Sequence, residues 1–194
     1  MTPVSISALT VCGLEELHTH RGAEVTHVLS ILDPDCPDPE AFLAFDPHHR
    51  TILRFHDAIE PAPNLTLPQI GHVEAILAFG RSLHHEAAER EKGHLLVHCH
   101  AGISRSTAAM TMLLAQVHPE AEEDWLFQRI VEIRPQAWPN SRMIAYADEL
   151  LSRNGRLVEG LRRLYGRQLA ARPWFADTMR SLNRAREVEM ALPI

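Results

Sequence analysis

Cysteine is scarce in this chain: Cys12, Cys36 and Cys99 are all it has in 194 residues, and they show no paired spacing. That excludes a disulfide framework and any zinc site built on CxxC pairs. No apolar run reaches the roughly 18 residues that a membrane-spanning helix needs. The opening MTPVSISALT has no basic stretch followed by an apolar core, so no secretory leader is expected there. Basic side chains are few where a nucleic acid would need them. Residues 1–150 carry 10 Lys and Arg against 21 Asp and Glu, whereas affinity for a phosphate backbone comes from basic surface. Histidine is plentiful, but His48-His49, His84-His85 and His98/His100 do not have the spacing that converges ligands on one ion, and no metal or other cofactor is expected. Free thiols without a leader point to the cytoplasm.

What remains is enough for one sizeable core, with an extension. Val25 to Leu32 reads as a buried strand, ended by the turn-rich DPDCPDPE, and Ile6 to Cys12 and Thr51 to Phe55 are shorter strand candidates. From Leu67 to Lys92 the positions Ile70, Val73, Ile76, Leu77 and Leu83 recur at helical spacing, leading into a strand at His94–His98. Ser106 to Gln116, Ala121 to Arg134 and Asn140 to Arg153 read as three more helices, the second stopped at Pro135. Strands alternating with helices predict an α/β fold with a mostly parallel central sheet flanked by helices. The division expected is a catalytic domain over 1–155 and a basic helical C-terminal extension over 156–194; residues 151–194 carry 9 Lys and Arg against 4 Asp and Glu. In that extension Leu157, Leu161, Leu164 and Leu169 share a helical face, with Arg156, Arg162, Arg163 and Arg167 elsewhere. Such a stretch binds a membrane surface or a partner, or packs on its own domain or a second subunit. Gly160 and Gly166 weaken it as an autonomous helix and favour docking. Pro173-Trp174-Phe175 is placed to start a final helix.

The most informative stretch is HCHAGISRST, residues 98–107. A strand, a tight loop and a helix N-terminus set successive backbone N–H groups around one point, where an anion will sit. His100, Ala101, Gly102, Ile103 and Ser104 would serve through those amides, with Gly102 where the backbone must approach closely. Arg105 offers a planar fork to phosphate oxygens that lysine lacks. A thiol in such a positive concavity ionises more easily, which makes Cys99 the candidate nucleophile.

This loop resembles the HCxxGxxR[ST] signature of the cysteine-dependent protein tyrosine phosphatases, and AGISRS is most similar to their dual-specificity branch. The resemblance covers roughly residues 5–153. RPQAWPNSRMIAYADELL supports it by its likeness to the RPxxxPNxxF...L stretch that follows the loop in that family, with Asn140 at the family asparagine. Ile144-Ala145-Tyr146 stands where the family often shows a glutamine. The resemblance implies a general-acid aspartate in the loop His56-Asp57-Ala58-Ile59-Glu60-Pro61, where Asp57 matches best and His56 and Glu60 are alternatives. It also implies that Ser106 hydrogen-bonds the sulfur, although a helix-capping role is the plainer reading of the residue. His98 either fixes the loop or is a satisfied buried histidine.

The activity implied is metal-independent hydrolysis of phosphate monoesters through a cysteinyl-phosphate. The substrate would be protein phosphotyrosine, with or without phosphoserine and phosphothreonine, since the loop has no lysine of the phosphoinositide-specific kind. A small non-protein phosphate ester is the enzymatic alternative, and a catalytically silent phosphate-binding scaffold is the alternative from another class. A homodimer or a partner bound through the extension is also possible on these grounds.

Overall fold

The computed structural model describes residues 6–86 and 93–193. The elements run β1 (Ile6–Cys12), a 3-10 helix (Leu14–His20), β2 (His27–Leu32), a second 3-10 helix (Glu40–Ala44), β3 (His49–Arg54), α1 (Ile70–Glu86) and β4 (Gly93–His98). There follow α2 (Arg105–Val117), α3 (Glu123–Ile133), α4 (Ser141–Leu150), α5 (Arg156–Ala171), α6 (Phe175–Ser181) and α7 (Ala185–Met190). The strands pair in the order β1-β4-β2-β3, and each pairing is parallel. This is the α/β architecture that the strand and helix pattern predicts.

A period of two along the strands divides the core. Leu29 and Ile31 of β2, with Leu95 and Val97 of β4, turn to one face, where Val73, Ile76, Ala108, Met112, Leu126 and Ile144 of the helical layer cover them. Val28 and Leu96 turn to the other face and meet Leu17 and Phe42 of the two 3-10 helices. β2 is buried at all six positions, as befits an inner strand covered on both sides. The 3-10 helices have no counterpart in the sequence reading. Each contributes one buried apolar residue, too little to leave a periodic signal.

Element ends differ modestly from expectation. β2 begins at His27, where pairing with β4 and β3 begins, rather than at Val25. α1 starts at Ile70, after Pro68, and residues 87–92 of the predicted helix lie outside the described residues. α3 and α4 are shorter at both ends than the apolar pattern implies.

The extension is docked on the sheet-bearing part. Leu157, Leu161, Leu164 and Tyr165 of α5 and Phe175 of α6 belong to the same apolar cluster as the sheet. Gly166 permits this: a Cβ there would lie 1.8 Å from the carbonyl oxygen of Leu192, so the glycine serves close packing of the chain end on α5. Trp174 does not cover the core as its size would suggest. It is 59% exposed, and Phe175 is the ring that goes in. No helix among the described residues is long and apolar enough to cross a membrane.

Candidate active site

Parallel strands end at one edge, so the four carboxyl ends deliver their loops to one place. β1 brings Cys12 and Gly13, β2 brings Asp33, β3 brings Phe55 to Asp57, and β4 brings Cys99. β4 lies between β1 and β2, which sets Cys99 at the middle of this edge.

The loop from Cys99 to Arg105 turns its carbonyls outward. His100 O accepts from Leu14 N at 2.9 Å, and Ile103 O from Trp138 N at 2.8 Å. Ala101 O accepts from Arg134, whose other nitrogen holds Glu16 at 2.8 Å. The amides of residues 100–104 donate to no protein acceptor among the described residues. Gly102 makes this turn possible: its φ is +69°, and a Cβ would fall 2.4 Å from the carbonyl carbon of Cys12. Cys99 is buried at the base, with Sγ 3.1 Å from Ser106 Oγ. Of the two readings of Ser106, the contact with sulfur is present, and the N-cap position of α2 belongs to Ser104.

Arg105 is 2% exposed, yet only one of its nitrogens is tied down. NH1 donates to Asp33 Oδ1 at 2.6 Å and to the carbonyl oxygen of Phe55 at 2.5 Å. Nε has no partner. A buried donor without an acceptor is costly unless something outside the protein fills the place, and an oxyanion above Cys99 is the fitting occupant.

Asp57 sits beside the loop, and three side chains hold its carboxylate. Oδ1 accepts from Ser104 Oγ at 2.7 Å and from Asn140 Nδ2 at 2.9 Å. Both oxygens lie 3.2 Å from NH1 of Arg184. Burial works to raise its pKa, but the charges of Arg184 and Arg105 and the bonds from Ser104 and Asn140 outweigh it and hold the carboxyl below the ordinary aspartate value. The two alternatives point elsewhere: His56 Nδ1 accepts from Thr66 N at 2.9 Å, and Glu60 pairs with Arg186 at 3.0 Å.

Asn140 is at once the N-cap of α4, accepting from Met143 N at 3.1 Å, and a donor to Asp57. His98 is fully buried and lies 2.7 Å from Ser30 Oγ, which accepts from Arg50 at 2.9 Å. Burial, then the Arg50 charge, pushes the ring down to about 4, so it is neutral at physiological pH. Cys12 pairs in register with His98, and burial raises its thiol to about 12. Cys36 Sγ lies 3.4 Å from the carbonyl oxygen of Pro37. No cluster of three or more metal-ligating side chains occurs among the described residues.

Sequence reasoning missed Asp33, Arg184 and Glu187. Asp33 was legible in principle as the residue that ends β2 at the catalytic edge, although the turn composition around it hid this. Arg184 and Glu187 lie far along a basic tail and carry no motif. Glu187 is buried, takes Trp138 Nε1 at 2.7 Å and Ser141 N at 2.8 Å, and holds Arg184 at 2.6 Å.

No family model and no curated protein matches the sequence. Solved structures do match in shape. Human DUSP28 is 24% identical with a TM-score of 0.54 over 79% of this chain and 99% of its own. The human tyrosine phosphatase-like serine/threonine/tyrosine-interacting protein is 18% identical, with a TM-score of 0.56 over 76% and 93%. The PTP-2 phosphatase of Cydia pomonella is 18% identical, with a TM-score of 0.55 over 74% and 85%. In its fold this chain is similar to these solved phosphatase structures.

Proposed function

We propose that the protein is a phosphatase that hydrolyses phosphate monoesters through a cysteinyl-phosphate, with protein phosphotyrosine, alone or together with phosphoserine and phosphothreonine, as its substrate. The observation that carries this reading is Arg105, aimed by NH1 and left open at Nε beside the buried Cys99. In the first step Cys99 Sγ forms a bond to phosphorus as the bond to the leaving oxygen breaks. Asp57 gives that oxygen its proton. Arg105 and the amides of residues 100–104 hold the three remaining oxygens. In the second step water attacks phosphorus, Asp57 takes its proton, and the sulfur leaves with a hydrogen bond from Ser106 Oγ. Asn140 and Ser104 keep the Asp57 carboxyl over the loop.

No step calls for a metal. The catalytic division is residues 1–155, with 156–194 acting on it through α5 to α7. The absence of lysine from the loop favours phosphotyrosine over phosphoinositide. The test is hydrolysis of a phosphotyrosine peptide, a phosphoserine peptide and a phosphoinositide by the purified protein in excess chelator. Activity is expected on the first, with or without the second, and Cys99→Ser should abolish it while phosphate-ester binding survives. Turnover by Cys99→Ser, or turnover lost to the chelator, would overturn the reading. Tight binding with no turnover by the native protein would leave the silent scaffold in its place.

A further inference from the structure

Arg184 is the one buried guanidinium of the extension that reaches the catalytic edge. It is 2% exposed and stands at the N-cap of α7. One face is neutralised by Glu187, with Nε at 2.7 Å and NH2 at 2.6 Å from Oε2. A single carboxylate already balances its charge. Yet NH1 turns the other way, to both oxygens of Asp57 and, at 2.7 Å, to Ser104 Oγ. Ser104 passes the contact on, since its hydroxyl accepts from Arg184 and donates to Asp57. The far side is anchored too, because Glu187 is held by Trp138 and by Ser141 N at the start of α4. Neither Arg184 nor Glu187 touches the place where phosphate would sit; both act through Asp57.

We propose that Arg184 is a positioning residue for the acid–base step: it places the Asp57 carboxyl over the loop and, through its charge balance with Glu187, sets the pH at which Asp57 surrenders the proton destined for the leaving group. This rests on the phosphatase reading with Asp57 as acid, and adds to it that the extension governs the acid. The charged and titratable groups facing Asp57 are Arg105 at the start of α2, Arg184 and Glu187 of the α7 region, His56 beside it, His100 in the loop and Tyr165 of α5. Arg184 and Glu187 pull in opposite senses. The guanidinium favours ionised Asp57, and Glu187 disfavours it by drawing on Arg184.

The experiment is the pH profile of kcat/KM on an alkyl phosphate ester for the full chain. Its descending limb reports the acid that must be protonated. In Arg184→Met the limb should move up by about one pH unit or more, the usual effect of losing an opposite charge at this range. Arg184→Lys should return most of the way. Glu187→Gln, which keeps an acceptor for Trp138, should move the limb down. In an Asp57→Asn background neither substitution should shift any limb. The 13C carboxyl resonance of Asp57 should titrate with the same signs, a readout that needs no turnover and that serves for any variant folded enough for a spectrum. Limbs that coincide with the native one, shifts of the same sign in the two variants, or shifts that persist without Asp57 overturn the proposal. A phosphatase that depends on Cys99 but whose limb ignores Arg184 refutes this inference alone, whereas activity independent of Cys99 refutes the phosphatase reading itself.

Discussion

Asp33→Ala tests the claim that Arg105 is aimed rather than merely present. Asp33 supplies one of the two acceptors on NH1 of Arg105, at 2.6 Å, and its side chain is 35% exposed. A charge-assisted hydrogen bond contributes about 1.5–3 kcal/mol when dry. Solvent screening at this exposure brings it to about 1–2 kcal/mol, equivalent to roughly a 5- to 30-fold loss. Because the substitution frees the fork to swing, the loss should fall on transition-state stabilisation and so on kcat/KM. Arg105→Lys should cost more. It removes one of the two bonds of the fork to phosphate, about 1.5–3 kcal/mol, and loses the aim as well, for roughly 100- to several-thousand-fold in all. The decisive quantity is the coupling. If Asp33 acts through Arg105, then Asp33→Ala in the Arg105→Lys background should cost little more than Arg105→Lys alone. Steady-state kinetics on a phosphotyrosine peptide, with thermal melting to confirm folding, measures all four corners. Additive losses would mean that Asp33 serves something other than the aim of Arg105, and near-native activity in Arg105→Lys would mean that charge alone suffices.

Asp57→Asn should lower turnover roughly 100-fold or more on alkyl phosphates and much less on an activated aryl phosphate, which needs little protonation of its leaving group; Glu60→Gln and His56→Ala should show no such leaving-group-dependent loss, and the assignment fails if either of them shows it in place of Asp57→Asn. Gly102→Ala should destabilise by at least about 1–3 kcal/mol, because the added Cβ meets both a strained φ and the backbone of β1; equal melting temperatures for the two proteins would contradict the described turn. Acid should destabilise the fold through His98. Its native pKa of about 4 lies below the ordinary 6.5, so the unfolded chain binds the extra proton between those values and stability falls as pH drops through that window, by up to about 3 kcal/mol. Urea unfolding at stepped pH should show this slope in the native protein and a flatter one in His98→Gln.

The parts of the site that were legible in the sequence share one property: their chemistry is local. Cys99, Gly102, Arg105 and Ser106 stand within eight residues, and a strand, turn and helix fix their mutual geometry whatever surrounds them. The same holds for β1, β2 and β4, whose apolar runs suffice to define them. Asp33 needed the topology, because only the parallel pairing of β2 beside β4 turns the end of one strand into the neighbour of the other. Arg184 needed more still. Its sequence separation from Asp57 is 127 residues, and its neighbours read as an ordinary basic tail, a composition that described the average of the segment and concealed its exceptions. Most of those arginines are solvated or pair at the surface, as Arg163 and Arg167 do with Asp124. What sets Arg184 apart is its burial between two carboxylates. That burial depends on α5 holding the loop before α4, where Gln168 binds the carbonyls of Pro135 and Ala137 at 2.9 Å and Tyr165 stacks on Trp138 at 4.2 Å. The extension therefore reaches the acid only through tertiary packing. A substitution at the Trp138–Tyr165 stack, although it touches neither Asp57 nor Arg184, should loosen both, and should be felt first in the protonation of the leaving group rather than in phosphate binding.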